Sequence, residues 1–548
     1  MFVLCAALLR KIDDWDIWYH LSIGREIFRT LKIPAVEIFI YPLIGEPGSY
    51  HEWGFGLLFY TVYRFMGYWG IAFLNALIGA GTLYLLYRAA HKDAPVTAVP
   101  LLVLGIIFLG IEYRIVYRPE MILFLFMAAE IYVLERFDQD GKFKWLLWVP
   151  LFLCLLSNFH PSAIIMLGIL CSYSIHYVND APAKGVRRVK LLGILLLIII
   201  TSFLAAVLNP YGFTQVFLPL KFMTQVQGFE LIEFEPTLLT NYKWYYVMLF
   251  LASIISLIFQ PRRRLVDWIL FAFFAYLGFK FVRNVALFSI VMYVPISKTF
   301  TYYAERPLLD YFHKNRLVLW IISTALISII LVPPMFDHSW GAGLDTNRVP
   351  VECAEKIARL KPSGQIFNFY HTGGYLTWRL YDQYRVFLDG RRYYMDKAFT
   401  IHNEVISGTP GWDQTLEKYG VSIIITTATF PYSNELIPLI PILADDKNWL
   451  LVAAEPGGLL FLKDGSFKIT SSSQILDKKM IWQQVINESE TTLHDFPQNA
   501  NSYYVMGQAY VRLEKYTRAI KAYKNYLRIR PGDEQAAQML YILESSTK

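Results

Sequence analysis

Charge is scarce in this chain. Only 17% of its 548 residues are Asp, Glu, Lys or Arg, whereas 55% are apolar and 16% aromatic. That balance excludes an ordinary soluble enzyme and a disordered chain, and it indicates a multi-spanning membrane protein. Cysteine is scarcer still. Of the four, Cys5, Cys154 and Cys171 lie in apolar runs and only Cys353 lies outside them, so no disulfide framework or zinc spacing exists. A Walker A motif and the glycine spacing of a dinucleotide-binding turn are both absent, so no nucleotide site is expected. The net charge of +7 is mild and argues little for nucleic acid, because most of the surplus is a topology signal.

A helix needs about 20 mostly apolar residues to cross a bilayer. Ten runs qualify as candidates: 68–87, 96–112, 119–135, 145–158, 161–178, 191–208, 243–260, 265–282, 284–298 and 317–333. The stretch Met1–Leu9 is apolar but too short to cross alone, which makes it either a stub or the end of a helix that starts upstream. No basic residue precedes it and no small-residue cleavage site follows it, so a cleaved signal peptide is not expected. Lys and Arg concentrate in alternate loops: Arg88 and Lys92; Arg136, Lys142 and Lys144; Lys184 to Lys190; Arg262 to Arg264; and Lys298 to Arg316. These loops are therefore assigned to the cytoplasm. The intervening segments, among them 10–66, 209–242 and everything after 333, then face outward from the cytoplasmic (inner) membrane.

The expected architecture is a polytopic α-helical membrane protein with 10–11 transmembrane helices, followed by two extracytoplasmic parts. Residues 1–333 form the membrane domain, with a first outer loop at 10–66. Residues 334–465 read as a small α/β domain. Its strand-like runs are "GQIFNF", "YRVFLDG" and "VSIIITTA", with helices near 350–361 and 434–448 and a closing hairpin around Pro456-Gly457-Gly458. Residues 466–548 read as a helical tail whose best stretch, 500–533, matches the 34-residue tetratricopeptide pattern at Tyr503, Gly507, Tyr510, Ala519, Tyr523 and Pro531. One repeat is too little for an independent array, so it is expected to pack on the α/β domain or on a protein partner.

Ionisable groups near a membrane are functional candidates, and here they gather on the outer side. The first loop carries Asp13, Asp14, Asp16 and His20, then His51 and Glu52; outer turns add Arg114, Arg118 and Glu120, and Asn158 with His160. Glu230, Glu233 and Glu235 follow in the long loop, and Lys280, Arg283 and Asn284 at the end of the 265–282 run. That set suits transfer of a sugar from a lipid phosphate. Arg and Lys would hold the phosphate and neutralise charge as the bond breaks, while a carboxylate deprotonates the acceptor hydroxyl. Plainer readings stand beside it. The aspartates could cap a helix or lie in a solvated loop, the cations could snorkel, "HTGGYL" at 371–376 could be a tight turn, and Asp389-Gly390-Arg391 a strand-end turn.

The segments "DWDIWYHLSIG" (14–24) and "HEW" (51–53), with "LNPYG" (208–212), "EFEP" (233–236), "RNVALF" (283–288) and "GGYL…VFLDGRRYY" (373–394), resemble a bacterial branch of GT-C-type polytopic membrane glycosyltransferases. Tyr19 stands where that branch usually has a second tryptophan, and Tyr50 where it has asparagine. The resemblance implies a polyprenyl-phosphate sugar donor and an acid in the first outer loop. The catalytic set would be Asp14 or Asp16 with His20, His51 and Glu52. Donor phosphate binding falls to Arg283, Arg118, Arg114, Lys280 and Asn284, and secondary or acceptor roles to Asn158, His160, Glu233 and Glu235. Asp14 and Asp16 could also hold Mg²⁺ or Mn²⁺, although the spacing requires no metal. Two rival readings remain: a non-catalytic membrane scaffold that presents the repeat for envelope assembly, and an oligosaccharide polymerase or ligase, which needs the arginines but no first-loop acid.

Overall fold

The structure is a computed structural model that describes residues 8–91, 98–180, 188–225, 234–240, 242–304, 321, 324–325, 328, 340–391, 396–431, 433–469 and 475–546. Its contacts divide the chain into two compact units, Met1–Asp14 with His51–Leu344, and Trp15–Tyr50 with Asp345–Lys548. The 10–66 segment is thus shared between them, with its middle belonging to the second unit.

The first unit is helical. Nine of the ten apolar runs form helices: Trp53–Ala90, Ala98–Leu109, Glu120–Asp140, Trp148–Phe159, Ala163–Asp180, Arg188–Ala206, Lys243–Phe259, Leu265–Lys280 and Val285–Ala304. The tenth, 317–333, falls almost wholly outside the described residues. Among those residues, Trp53–Ala90, Arg188–Ala206 and Val282–Ala304 are long and apolar enough to cross a membrane. The first of these bends at Gly67, whose φ of 62° is a conformation that a residue without Cβ adopts readily. The bend lies one residue before the expected span at 68. Close helix approach relies on small residues, as in membrane bundles. A Cβ on Gly278 would lie 2.7 Å from the Tyr246 ring, and Tyr246 donates to the Ala275 carbonyl at 2.6 Å. Buried Asn75 donates to the carbonyls of Leu8 and Ile115 and accepts from the Tyr117 amide, which fixes the turn that carries Arg114 and Arg118.

Toward the other end of Glu120–Asp140, buried Glu135 accepts from Tyr173 at 2.6 Å, Arg264 at 2.6 Å and Lys298 at 2.5 Å. Arg264, read from sequence only as a topology signal, is therefore also a structural cation joining separate helices. A buried carboxylate persists only with such partners.

The second unit is built on a four-stranded sheet of order β1-β2-β4-β3. Strand β1 is Gln365–Asn368, β2 Val421–Thr426, β3 Trp449–Glu455 and β4 Gly458–Lys463. β1 and β2 run parallel, and β4 is antiparallel to both β2 and β3. The closing hairpin lies where the Pro-Gly-Gly signal placed it. Two sequence expectations fail. "YRVFLDG" forms no strand; Val386 makes only an isolated bridge to Ile40, and the Asn368 side chain takes the Phe387 amide at 2.9 Å and the Leu388 carbonyl at 2.8 Å. "HTGGYL" is no tight turn but part of the helix Tyr370–Leu380. Its glycines serve close approach, since a Cβ on Gly374 would lie 3.0 Å from the Trp15 carbonyl oxygen.

The tail forms four helices, Lys479–Asp495, Ala500–Arg512, Tyr516–Ile529 and Glu534–Ser546. Gly507 gives the middle pair room, because its Cβ would lie 2.8 Å from the Tyr523 ring. The tail docks on the sheet domain through a buried polar network. Glu488 accepts from the amides of Ala428 and Thr429 and from the Thr429 hydroxyl, and burial pushes its carboxyl up. Asn434 donates to Ser489 and Ser502, both at 2.9 Å. Removing one partner from such a network costs about 1–3 kcal/mol. Asn434→Ala is therefore expected to make 479–546 susceptible to limited proteolysis under conditions where the wild type resists; unchanged protection would contradict the docking role.

Candidate functional site

The first unit brings four polar segments together, each at the end of a helix. Arg114 lies in a turn ahead of Glu120, the first residue of its helix. Glu120 is buried and bridges two cations. Arg114 donates to it from Nε at 2.7 Å and again from Nη2, and Arg283 donates to its other oxygen. Arg283 lies in the turn between Leu265–Lys280 and Val285–Ala304, with its guanidinium 5.0 Å from the Phe234 ring centre. Arg118 donates to Asp14 Oδ2 at 2.6 Å.

The third and fourth segments are His51–Trp53 and Asn158–His160. Glu52 lies 3.8 Å from His51 Nε2 and 3.9 Å from His160 Nε2. Trp53 donates to Asn158 Oδ1 at 3.2 Å, and Asn158 donates in turn to the carbonyls of Cys154 and Leu208. Gly54 allows the approach, since a Cβ there would lie 2.6 Å from the Asn158 carbonyl oxygen. Buried Gln215, which no sequence pattern singled out, donates to the carbonyls of His51 and Ser157 and fastens both segments.

Burial lowers the His160 pKa to about 3; Glu120 opposes the shift, while Arg283, His51 and Arg114 add to it. The ring is therefore neutral at pH 7, and its buried Nδ1 has no hydrogen-bond partner among the described residues. Glu120, Arg283, Arg114 and His51 all act electrostatically on His160. The structure thus gathers most of the sequence-predicted residues of this unit.

Some predicted residues have other duties. Asn284 donates to the Leu277 carbonyl at 3.1 Å, closing the preceding helix. Lys280 lies 5.2 Å from the Phe281 ring centre and makes no ion pair among the described residues. Glu235 is exposed, and its carbonyl accepts from the Val282 amide at 3.0 Å. Glu230 and Glu233 lie outside the described residues. The bridging role of Glu120 had no sequence signal beyond its place after Pro119 at a helix start.

In the second unit, Asp16 precedes the helix Ile17–Thr30 but its side chain makes no capping bond, so the helix-cap reading does not describe it. His20 is buried on that helix, 4.0 Å from the Tyr19 ring. A buried ion-pair network was largely missed from sequence. Arg391 donates to Asp389 at 2.7 Å and to the two oxygens of Glu37 at 3.0 and 3.2 Å. Burial pushes the Glu37 carboxyl up, but Arg391 and the amides of Phe39 and Ile40 outweigh it and hold the group below the usual carboxylate range. The sequence signal was a lone Glu37 within the apolar run "AVEIFI".

Among the described residues no group of three or more His, Cys, Asp or Glu side chains is placed to hold a metal ion.

No family model matches this chain, and no curated protein does. Among solved structures, it is similar to the archaeal oligosaccharyltransferase AglB from Archaeoglobus fulgidus, determined in complex with an inhibitory peptide and a dolichol-phosphate. The TM-score is 0.54 at 11% identity, over 96% of this chain and 85% of that one. The two proteins share a fold.

His160 supplies a pH test. An unfolded histidine titrates near 6.5, well above the folded value of about 3. In that window the unfolded state binds the extra proton, so stability falls as pH falls from about 6.5 toward 3. His160→Gln should reduce the loss of thermal stability between pH 7 and pH 5 by about 1–2 kcal/mol. An identical loss in variant and wild type would show that His160 is not buried as a neutral ring.

Proposed function

We propose that this protein is a multi-pass glycosyltransferase of the cytoplasmic membrane, of GT-C type, that moves a sugar from a polyprenyl-phosphate donor to an acceptor on the outer face. The observation that carries this reading is the convergence of Arg114, Arg118 and Arg283 with Asp14, Glu120, His51, Glu52 and His160 in one unit. The shared fold with AglB, whose structure holds a dolichol-phosphate, supports it.

In this reading the donor's phosphate exchanges places with a carboxylate. The arginine fork suits two phosphate oxygens as well as it suits Glu120. As the sugar–phosphate bond breaks, negative charge builds on the phosphate, and a guanidinium held in place stabilises it without reorganisation. The acceptor hydroxyl loses its proton to a first-loop carboxylate, Asp14 or Asp16, the role that the sequence pattern implies. His160 Nδ1, buried and unpaired, can accept a hydrogen bond from a bound hydroxyl. His51 and Glu52 lie beside it to orient the donor or acceptor. No step needs a metal. The helical tail, read as a tetratricopeptide repeat with caps, faces outward with the sheet domain and offers a surface for a protein partner.

Asp14→Asn and Asp16→Asn keep shape and remove charge. Loss of the base is expected to lower transfer on the order of 10²–10⁴-fold, so one of the two variants should be nearly inactive in a lipid-sugar transfer assay. Arg283→Lys should lower turnover although charge is conserved, because a point charge cannot replace the fork. Full activity in both aspartate variants and in their double variant would reject this catalytic centre. Activity that needs the arginines but neither acid would instead favour a polymerase or ligase.

A further inference from the structure

Within the first unit, Gln215 stands where two segments of the candidate site meet. The turn at 208–212 sets it there. Asn209 accepts the Tyr211 amide at 2.8 Å and donates to the carbonyls of Ala206 and Gly212 at 2.9 and 3.3 Å. That closes the turn from which the helix Phe213–Gln225 starts, with Gln215 in its first turn. The residue is 1% exposed. Both amide hydrogens are used, on the His51 carbonyl at 2.9 Å and the Ser157 carbonyl at 3.0 Å. Those carbonyls also fix which way the amide faces, because the reverse orientation would set its oxygen against two acceptors. Oε1 is therefore locked as an acceptor, and this buried atom has no hydrogen-bond partner among the described residues.

The neighbouring polar groups leave the same kind of atom over. Trp53 gives its side-chain N–H to Asn158, and Asn158 gives its own to the carbonyls of Cys154 and Leu208. His160 presents Nε2 to Glu52 at 3.9 Å. The carboxylate favours the proton on that nitrogen, which leaves buried Nδ1, with no partner among the described residues, as an acceptor. Around the junction of 51–53 and 157–160, the N–H groups of Trp53, Asn158 and Gln215 are thus spent on protein, while Gln215 Oε1 and His160 Nδ1 remain as acceptors. Buried acceptors are normally paired. What complements these two is a molecule rich in O–H groups; a carboxylate would be repelled.

We propose that Gln215 is a specificity-determining residue whose Oε1 accepts a hydroxyl of the sugar carried on the lipid phosphate. This rests on the function proposed above and narrows its substrate class to an uncharged sugar with a free hydroxyl at the position that faces Gln215. Arg114 and Arg283 act electrostatically on His160, so a phosphate held by that pair brings its sugar to the same junction. The two amide bonds to His51 and Ser157 keep Oε1 in one place. A donor that lacks the hydroxyl leaves Oε1 buried and unpaired, the condition under which a polar site discriminates strongly.

The test uses the full-length protein with polyprenyl-phosphate carrying glucose, galactose or mannose, and with monodeoxy analogues of whichever sugar is transferred. In the wild type, removal of one particular ring hydroxyl should lower kcat/KM on the order of 10²-fold. Gln215→Met keeps the length and loses the amide. In that variant the penalty for the same deoxy donor should shrink to near unity, while penalties at the other ring positions persist. A merely structural Gln215, or one whose Oε1 serves a bound water, predicts equal losses with the parent and every deoxy donor; that result overturns the proposal, as does wild-type selectivity in Gln215→Met. Should Gln215→Met fail to fold, a cryo-EM map of the wild type with a non-transferable phosphonate analogue of the donor decides. A sugar oxygen within hydrogen-bond distance of Oε1 supports the proposal, and its absence there overturns it. If the wild type transfers none of the three sugars, the transferase reading fails for them, and thermal unfolding tests Gln215 by itself. A larger rise in Tm with a sugar-bearing lipid than with bare polyprenyl-phosphate, lost in Gln215→Met, supports the proposal; an equal rise with both lipids overturns it.

Discussion

The first unit depends on one electrostatic constraint: charges taken out of water must be met by opposite charges held at hydrogen-bond distance. Glu120 shows it most clearly. Two guanidiniums from distant points in the sequence, Arg114 and Arg283, converge on a single buried carboxylate. Desolvating any one of them alone would cost several kcal/mol, so the turns that carry them are held together as a set. Glu135 does the same for Arg264 and Lys298 some 15 residues further along the same helix, about 22 Å away at a rise of 1.5 Å per residue. One helix thus carries an anionic anchor toward each end, and several neighbouring helices are tied to it at those two levels.

In the function proposed above, this arrangement would have a second use. An arginine pair waiting for phosphate in a low-dielectric setting would be unstable by itself. Under that proposal Glu120 would stand in for the donor phosphate and keep the fork oriented, and a donor with greater charge would compete for it. The Asp14–Arg118 pair follows the same logic. In the second unit, Glu37, Arg391 and Asp389 make a comparable closed set that also holds backbone, through the Phe39 and Ile40 amides.

Much of the helical content was legible from hydropathy, because an apolar run of membrane length has few alternatives to a helix. The hairpin at Pro456-Gly457-Gly458 was legible from turn chemistry, and the tail from its spacing of small and aromatic residues. The failures share a cause. "YRVFLDG" has strand composition, yet its backbone partners are the Asn368 side chain and the first-loop segment around Ile40, neither of which local pattern reveals. "HTGGYL" looks like a turn because two glycines usually mark one, whereas here they admit the Trp15 and Leu388 carbonyls against a helix. The division of the first loop, with Trp15–Tyr50 joining a domain more than 300 residues away, was invisible for the same reason. The candidate residues stood out as a collection because polar groups are rare in so apolar a chain. Their pairing was not, and Glu120 in particular passed as one acid among several.

The central claim is that this cluster of arginines holds a lipid phosphate. The most direct measurement is a cryo-EM map of the purified full-length protein with an added polyprenyl-phosphate. The account predicts density for the phosphate within hydrogen-bond distance of the Arg283 guanidinium, joined by Arg114 or Arg118, with Glu120 displaced from at least one of its present partners. Phosphate density lodged elsewhere, with the Arg114–Glu120–Arg283 bridge intact, would contradict it.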